Sequence, residues 1–372
     1  MIKLTKPYFD EEEIKAVRDT LASGWVAGQG PKGKELEAYL KGYLRVRNVI
    51  PVNNCTAGLH LALLAIGIGE GDEVIVSDYT FPATGHAVLY CGGQPRFCDV
   101  KLDTYNINPN LIEAKINENT KAIIVVHEFG LMADMEPIRE IADKYGLKII
   151  EDAACALGAQ YKGEMAGSFG DIATFSFHAR KNLTCGEGGA VVTNNSKYAA
   201  YIRSLSSFGM KSALAREGEF SIPSFNIMGY NYKLSDINSA VVLEQLKKYP
   251  RILKKKRELA ALYNQLLKNS DYLTLPKEEK DYFHVYQTYV VTVDSSIDRN
   301  KLIVALREDG VQSTIGTYAS HSQEVYQSED ECPNSLFLFK HSLALPLYYT
   351  LQESEVEEVT DKLQENIRKL KG

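Results

Sequence analysis

The sequence predicts an α/β protein with a mostly parallel central sheet, joined to a second, smaller α/β domain. Three observations carry this. The chain has 372 residues, more than one simple core usually holds, so two domains are the natural expectation. From residue 36 to 200, short β-rich apolar runs alternate with amphipathic helical segments. Several of those runs are apolar nearly throughout, which suits strands covered on both faces better than half-solvated ones.

In chain order, strands are expected at Glu73–Ser77, Pro95–Val100, Lys121–His127, Lys148–Asp152, Ile172–Phe177 and Gly189–Thr193, with helices such as Thr56–Ile66 and Met135–Tyr145 between them. Past residue 235 the texture changes. A helix over Leu234–Lys248 leads to a basic helical stretch, Ile252–Leu267. One or two strands within Val285–Val293, a helix near Ile303–Glu308 and a closing helix from Glu353 to Lys369 follow. The expected division is a large domain over 1–245 and a smaller C-terminal one over 246–372.

Composition narrows the function. Hydrophobic residues make up 45% and charged ones 24%, with a formal charge of −6, which is ordinary for a soluble globular protein. No Lys/Arg block is long enough for a nucleic-acid footprint. No run of eighteen apolar residues offers a membrane span, and the N-terminal segment lacks a signal-peptide core. Cysteines 55, 91, 98, 155, 185 and 332 include no C-x-x-C pair, which argues against a zinc site and for a reducing cytoplasm.

Ligands of open α/β sheets collect beyond the carboxyl ends of the strands, and four features fall there. Asp152 ends an apolar strand; it reads either as an exposed or capping carboxylate, or as the partner of a buried cation such as a protonated pyridinium. Lys181 follows Phe175-Ser176-Phe177-His178 and precedes the turn Gly186-Glu187-Gly188-Gly189; it is a surface lysine, or an amine made nucleophilic by desolvation. Thr56 opens a helix after Asn53-Asn54-Cys55, as a plain cap or as a phosphate cradle. Phe81 lies just past Glu73–Ser77, as a core aromatic or as a platform for a planar ring. Each has a plain structural reading when taken alone. Together they supply a phosphate cradle, a stacking ring, a pyridinium partner and an amine, the set that pyridoxal 5′-phosphate (PLP) needs.

These residues also carry a family resemblance. Ser23-Gly24-Trp25, Thr80-Phe81-Pro82-Ala83-Thr84, Glu151-Asp152-Ala153-Ala154, Phe175-Ser176-Phe177-His178 with Lys181-Asn182-Leu183, and Gly229-Tyr230-Asn231-Tyr232 fall in the order seen in the DegT/StrS sugar aminotransferases. The chain resembles that family over nearly its whole length. The resemblance implies a fold type I aminotransferase, with a seven-stranded mostly parallel sheet in the large domain. It implies Lys181 as the Schiff-base lysine, Asp152 as the pyridinium partner and Phe81 as the stacked aromatic. Thr56, Ala57 and Ser176 become phosphate contacts. Asn231 becomes a contact to the neighbouring subunit's cofactor, so that the active sites of a homodimer are shared.

The implied reaction takes an amino group from L-glutamate through pyridoxamine phosphate to a nucleotide-linked keto-sugar, a 4-keto-6-deoxyhexose first and a 3-keto isomer next. The product is an amino-sugar for a glycan, such as a lipopolysaccharide O-antigen, or for a natural product. The alternatives are a glutamine- or glutamate-dependent aminotransferase of a free cyclitol or keto-sugar, and a non-catalytic binding protein. Tyr318 and His321, in Gly316-Thr317-Tyr318-Ala319-Ser320-His321, are the candidate substrate contacts. Two positions depart from the family pattern. Cys155 stands where Gln, His or Glu usually approaches the cofactor's phenolic oxygen, and a thiol is a weaker hydrogen-bond partner. Arg180 stands where Thr is more usual.

Overall fold

The computed structural model describes residues 1–211 and 222–371. At its centre, seven strands form one sheet: β1 (Asn48–Val52), β2 (Glu73–Ser77), β3 (Gln94–Cys98), β4 (Thr120–Val126), β5 (Lys148–Asp152), β6 (Ile172–Ser176) and β7 (Gly189–Thr193). Their spatial order is β1-β7-β6-β5-β4-β2-β3. The pairs β2–β3, β2–β4, β4–β5 and β5–β6 are parallel. β7 runs antiparallel to both β6 and β1, so β1 points the same way as the parallel group. All strand ends but that of β7 therefore open on one edge. The sequence pattern missed β1, whose Pro51 cannot donate to a ladder; the structure places that strand at the sheet edge, where proline is tolerated.

Alternate residues of the buried strands serve two cores. Ile75, Ile123, Val125 and Ile149 pack with Leu36, Leu40, Ile138 and Leu246. Val74, Val76, Ile124 and Ile150 pack with Leu59, Val88 and Ile202. The first face thus carries α2 (Pro31–Leu44), α5 (Met135–Tyr145) and part of α7 (Asp236–Leu267), with α1 (Glu11–Ser23) packed on α7. The second carries α3 (Cys55–Ile66), α4 (Ala83–Tyr90) and α6 (Ser196–Leu205).

The stretches expected as two helices around residue 250 are one continuous α7, with Pro250 inside it. Proline removes the N–H that the Leu246 carbonyl would accept. The Tyr39 hydroxyl donates to that carbonyl instead, at 3.4 Å. At its start α7 closes a different gap. The Asp236 carboxylate accepts the amides of Gly30, Lys32 and Gly33 at 3.1, 2.9 and 3.0 Å, capping α2 from outside.

The second half of α7 contributes Leu259, Tyr263 and Leu267 to another core. There it meets an antiparallel sheet of β8 (Leu273–Thr274), β9 (Tyr289–Val293), β10 (Thr314–Ile315) and β11 (Ser342–Leu345), in the order β8-β9-β11-β10. Helices α8 (Arg299–Glu308) and α10 (Glu353–Lys371) cover it, while α9 (Pro333–His341) leads into β11. Ile2 is also buried in this core, so the first residues return to the unit built mainly from the chain's end. Residues 245 and 246 both lie inside α7.

Candidate active site

Between the carboxyl edge of the large sheet and the smaller unit lies a cavity of about 310 Å³. Asp152 enters it as the last residue of β5, level with Val126 of β4 and Thr174 of β6. It is 5% exposed. The Thr84 hydroxyl donates to its Oδ2 at 2.8 Å, and the Ala154 amide to its Oδ1 at 3.2 Å. Thr80 and Thr84 share a hydrogen bond at 3.0 Å. Because Thr84 spends its proton on Asp152, Thr80 is the donor to Thr84, and the three form a chain. Burial pushes the carboxyl upward despite these donors. A buried acid held by neutral groups, with no ion pair among the described residues, suits a cationic N–H donor.

Lys181 reaches the same cavity from the loop after β6. Its Nζ donates to the Cys155 sulfur at 3.1 Å. Burial works against the ammonium, but the Cys155 contact and the charge of Asp152 outweigh it, so the lysine is pulled upward. Burial pushes the Cys155 thiol upward as well. The loop is clamped on both sides of Lys181. Gln287 Nε2 donates to the Arg180 carbonyl at 2.8 Å, and Asn182 Nδ2 to the Val285 carbonyl at 3.1 Å. Lys256 of α7, buried and brought down to about 7 by desolvation, donates to Asn182 Oδ1 at 2.5 Å and to the Gln287 carbonyl at 2.9 Å. Arg180 itself is exposed.

Thr56 and Ser176 line the cavity together, at the start of α3 and the end of β6. Ala57 does not line it. The Ala57 amide is taken by the Asn54 cap at 2.8 Å, which leaves Thr56 and the open turn of α3 to meet an anion. Phe81 stands at the mouth, 62% exposed, with Tyr318 edge-on at 6.2 Å. Gly316 and Thr317 line the cavity, whereas Tyr318 flanks it through Phe81. His321 is drawn away. Its Nδ1 bonds Asp78 Oδ2 at 2.7 Å and its amide bonds Asp78 Oδ1 at 2.6 Å. With Cys332 these two place donor atoms within 4.8 Å of one another, but the Asp–His pair is already closed and burial keeps the thiol protonated. Asn231 is exposed outside the cavity, where its Oδ1 accepts from Lys233 at 2.7 Å.

The sequence pattern overlooked several groups. Glu151, beside Asp152 in β5 but on the opposite face, accepts the amides of Gly167, Phe169 and Gly170 at 2.8, 2.9 and 2.6 Å. Burial raises this carboxyl, but His127 and those amides outweigh it and hold it below the usual range. The Ala133 amide donates to His127 Nδ1 at 3.2 Å, so Nε2 carries the proton given to Glu151 at 2.9 Å. This pair locks the ends of β4 and β5 beneath the cavity. Glu128, directly after His127, lines the cavity itself. An acid at the end of an apolar run was its signal, the same one that marked Asp152. Gln287, Thr288, Thr314 and Ala344 complete the wall from the smaller unit, which strand-end reasoning on the large sheet could not reach.

The DegT/DnrJ/EryC1/StrS aminotransferase family matches residues 7–364. A protein of Methanocaldococcus jannaschii is 37% identical over 367 residues, covering 96% of this chain and 95% of its own. Among solved structures, the sugar aminotransferase CalS13 from Micromonospora echinospora superposes with a TM-score of 0.91 at 28% identity, over 98% of this chain and 100% of its own. Spr1654 from Streptococcus pneumoniae, in its pyridoxamine phosphate form, superposes at 0.95 with 27% identity over 100% of both chains. Its PLP form superposes at 0.92, over 98% of both.

Proposed function

Because the chain belongs to the DegT/DnrJ/EryC1/StrS aminotransferases, PLP enzymes that act on sugars, we propose that it moves an amino group from L-glutamate to a nucleotide-linked keto-sugar. The observation that carries the chemistry is the meeting of Lys181, Asp152 with its Thr80–Thr84 relay, Thr56 and Ser176 around one cavity. PLP, when bound, supplies an electrophilic carbonyl for an amine and a ring that accepts electrons from the carbon bearing that amine.

The chain's own residues do the rest. Lys181 is the amine that would hold the cofactor. With the cofactor bound, its amine would lie in this cavity where it could carry a proton between the donor's carbon and the acceptor position. Asp152 would keep a proton on the ring nitrogen, and Thr84 and Ala154 fix the direction of its two oxygens. The α3 terminus and Ser176 favour a phosphate. Cys155 accepts from Lys181 beside it, a soft sulfur partner for the amine.

Sharing of active sites in a homodimer belongs to the same proposal. Asn231 lies on the surface, and Trp25, Phe208, Phe225 and Met228 are large exposed apolar side chains on the described part of the chain. A second subunit covering them would shield apolar surface and receive Asn231. Light scattering across a dilution series, with PLP retention measured in Asn231→Ala, tests this; a monomer that holds PLP fully would refute it.

The acceptor is tested by loading the enzyme with pyridoxamine phosphate and offering keto-sugar nucleotides that differ in base and in keto position. Return of the aldehyde absorbance with at least one supports the reading. Return only with a free keto-cyclitol shifts the function to the nucleotide-independent class.

A further inference from the structure

The carboxyl of Glu128 takes no part in the proton transfers assigned to Lys181 and Asp152, yet it faces the same cavity. The residue is 6% exposed. No side chain among the described residues hydrogen-bonds or ion-pairs this carboxyl, and the Phe129 amide is the backbone group near enough to favour its anion. Burial dominates, Lys181 pulls against it and Asp152 adds to it, so the carboxyl is pushed up to about 8 and is protonated at neutral pH.

The turn that presents it is held at a cost. Phe129 has φ 53°, a left-handed conformation that bulky residues avoid. Asn106 clamps the turn from one side. Its Oδ1 accepts the Glu128 amide at 2.8 Å, and its Nδ2 donates to the Leu131 and Met132 carbonyls at 3.0 and 3.1 Å. From the smaller unit, the Gln287 and Val285 amides donate to the Phe129 and Gly130 carbonyls at 2.8 and 3.0 Å. Gly130 leaves no space for a side chain, because a Cβ there would lie 2.6 Å from Val285 and 2.9 Å from the Cys155 carbonyl. A rigid, strained turn that aims an unpaired acid at a reactive lysine is a poor device for stability, since an apolar side chain would fill the place without desolvation cost.

We propose that Glu128 is a specificity-determining residue that hydrogen-bonds a hydroxyl of the acceptor sugar beside the carbonyl that is aminated. A protonated carboxyl both donates and accepts, as a hydroxyl does, so the two satisfy each other. An apolar group placed there would leave both lone pairs and the proton unpaired. The inference rests on the sugar acceptor of the preceding section.

The test compares Glu128→Leu and Glu128→Gln with wild type in the two half-reactions of the holoenzyme. With L-glutamate, both variants should stay within about threefold of wild type. For the return from the pyridoxamine form with dTDP-4-keto-6-deoxyglucose, the second-order constant of Glu128→Leu should fall about 10- to 100-fold, with Glu128→Gln between. Removing the neighbouring hydroxyl, as in dTDP-4-keto-3,6-dideoxyglucose, should cost wild type a similar factor and Glu128→Leu less than about twofold. Glu128→Leu should also melt at the same temperature as wild type or a few degrees above.

Equal loss in both half-reactions, unchanged acceptor kinetics, or unchanged discrimination between the two sugars would each overturn the proposal. If wild type completes the donor half-reaction but returns only with scyllo-inosose, the nucleotide part of the earlier reading falls. The same comparison, made with scyllo-inosose and its 2-deoxy form, then decides the role of Glu128.

Discussion

Replacing Thr84 by valine removes one hydroxyl while keeping the side chain's shape, so it isolates the relay behind Asp152, the proposed ring-nitrogen partner. Two bonds are at stake, the 2.8 Å donation from Thr84 to Asp152 and the 3.0 Å link from Thr80 that polarises it. Without them Asp152 keeps the Ala154 amide at 3.2 Å, a longer and weaker contact. The Thr84 bond is among the forces that lower the Asp152 carboxyl against burial, so its loss lets the carboxyl rise further and weakens the hold on a ring proton. A hydrogen bond to a charged group contributes roughly 1.5–3 kcal/mol, which corresponds to PLP binding about 10- to 150-fold weaker. The assay is titration of PLP into cofactor-stripped protein, followed by its visible absorbance, with Thr84→Ser as the conservative control. Thr84→Ser should stay close to wild type, and borohydride should still trap the cofactor on Lys181 in both variants. Thr84→Val binding PLP within about twofold of wild type would refute the relay.

Three further outcomes are expected. Lys181→Ala should retain PLP reversibly but yield no covalent adduct on borohydride reduction and no turnover; full turnover would sink the assignment. Gly30→Ala should destabilise the fold by about 1–3 kcal/mol in urea unfolding while sparing PLP affinity. A Cβ at that position would sit 2.2 Å from the Asp236 oxygen that caps α2. Lys256 titrates near its ordinary 10.5 when unfolded and at about 7 when folded, so between those values the unfolded chain holds more protons and stability rises with pH. Measured against Lys256→Met, which has no proton to lose, wild type should therefore gain stability from pH 7 towards pH 10 and show a flat difference below pH 7. A flat difference throughout would mean the lysine stays charged in the fold.

Most of the large domain was legible because buried strands and amphipathic helices write their period into the sequence. The strands Glu73–Ser77, Lys148–Asp152 and Gly189–Thr193 and the helix Met135–Tyr145 coincide with the expectation residue for residue. Where local rules misled, a distant partner had intervened. The rule that proline interrupts a strand or a helix failed at two positions. Pro51 sits in a strand because that strand is an edge, and Pro250 sits in a helix because Tyr39 takes the orphaned carbonyl.

The chemistry was legible from residue types at element ends together with the family resemblance that their motifs carry. Lys181, Asp152, Thr56, Ser176 and Phe81 stand at strand and helix ends, and a strand end is a local property that the apolar runs reveal. How those groups are held was not legible there and depends on contacts between distant segments. The Thr84–Asp152 link of the relay joins positions 68 residues apart, the His127–Glu151 pair ties two strands from below, and Lys256 and Gln287 clamp the Lys181 loop from other parts of the chain. Tertiary packing also turned His321 towards Asp78 and left Glu128 on the same cavity as Lys181. Hydrogen bonds between remote segments leave no periodic trace, because each depends on two positions whose separation along the chain is set by the fold.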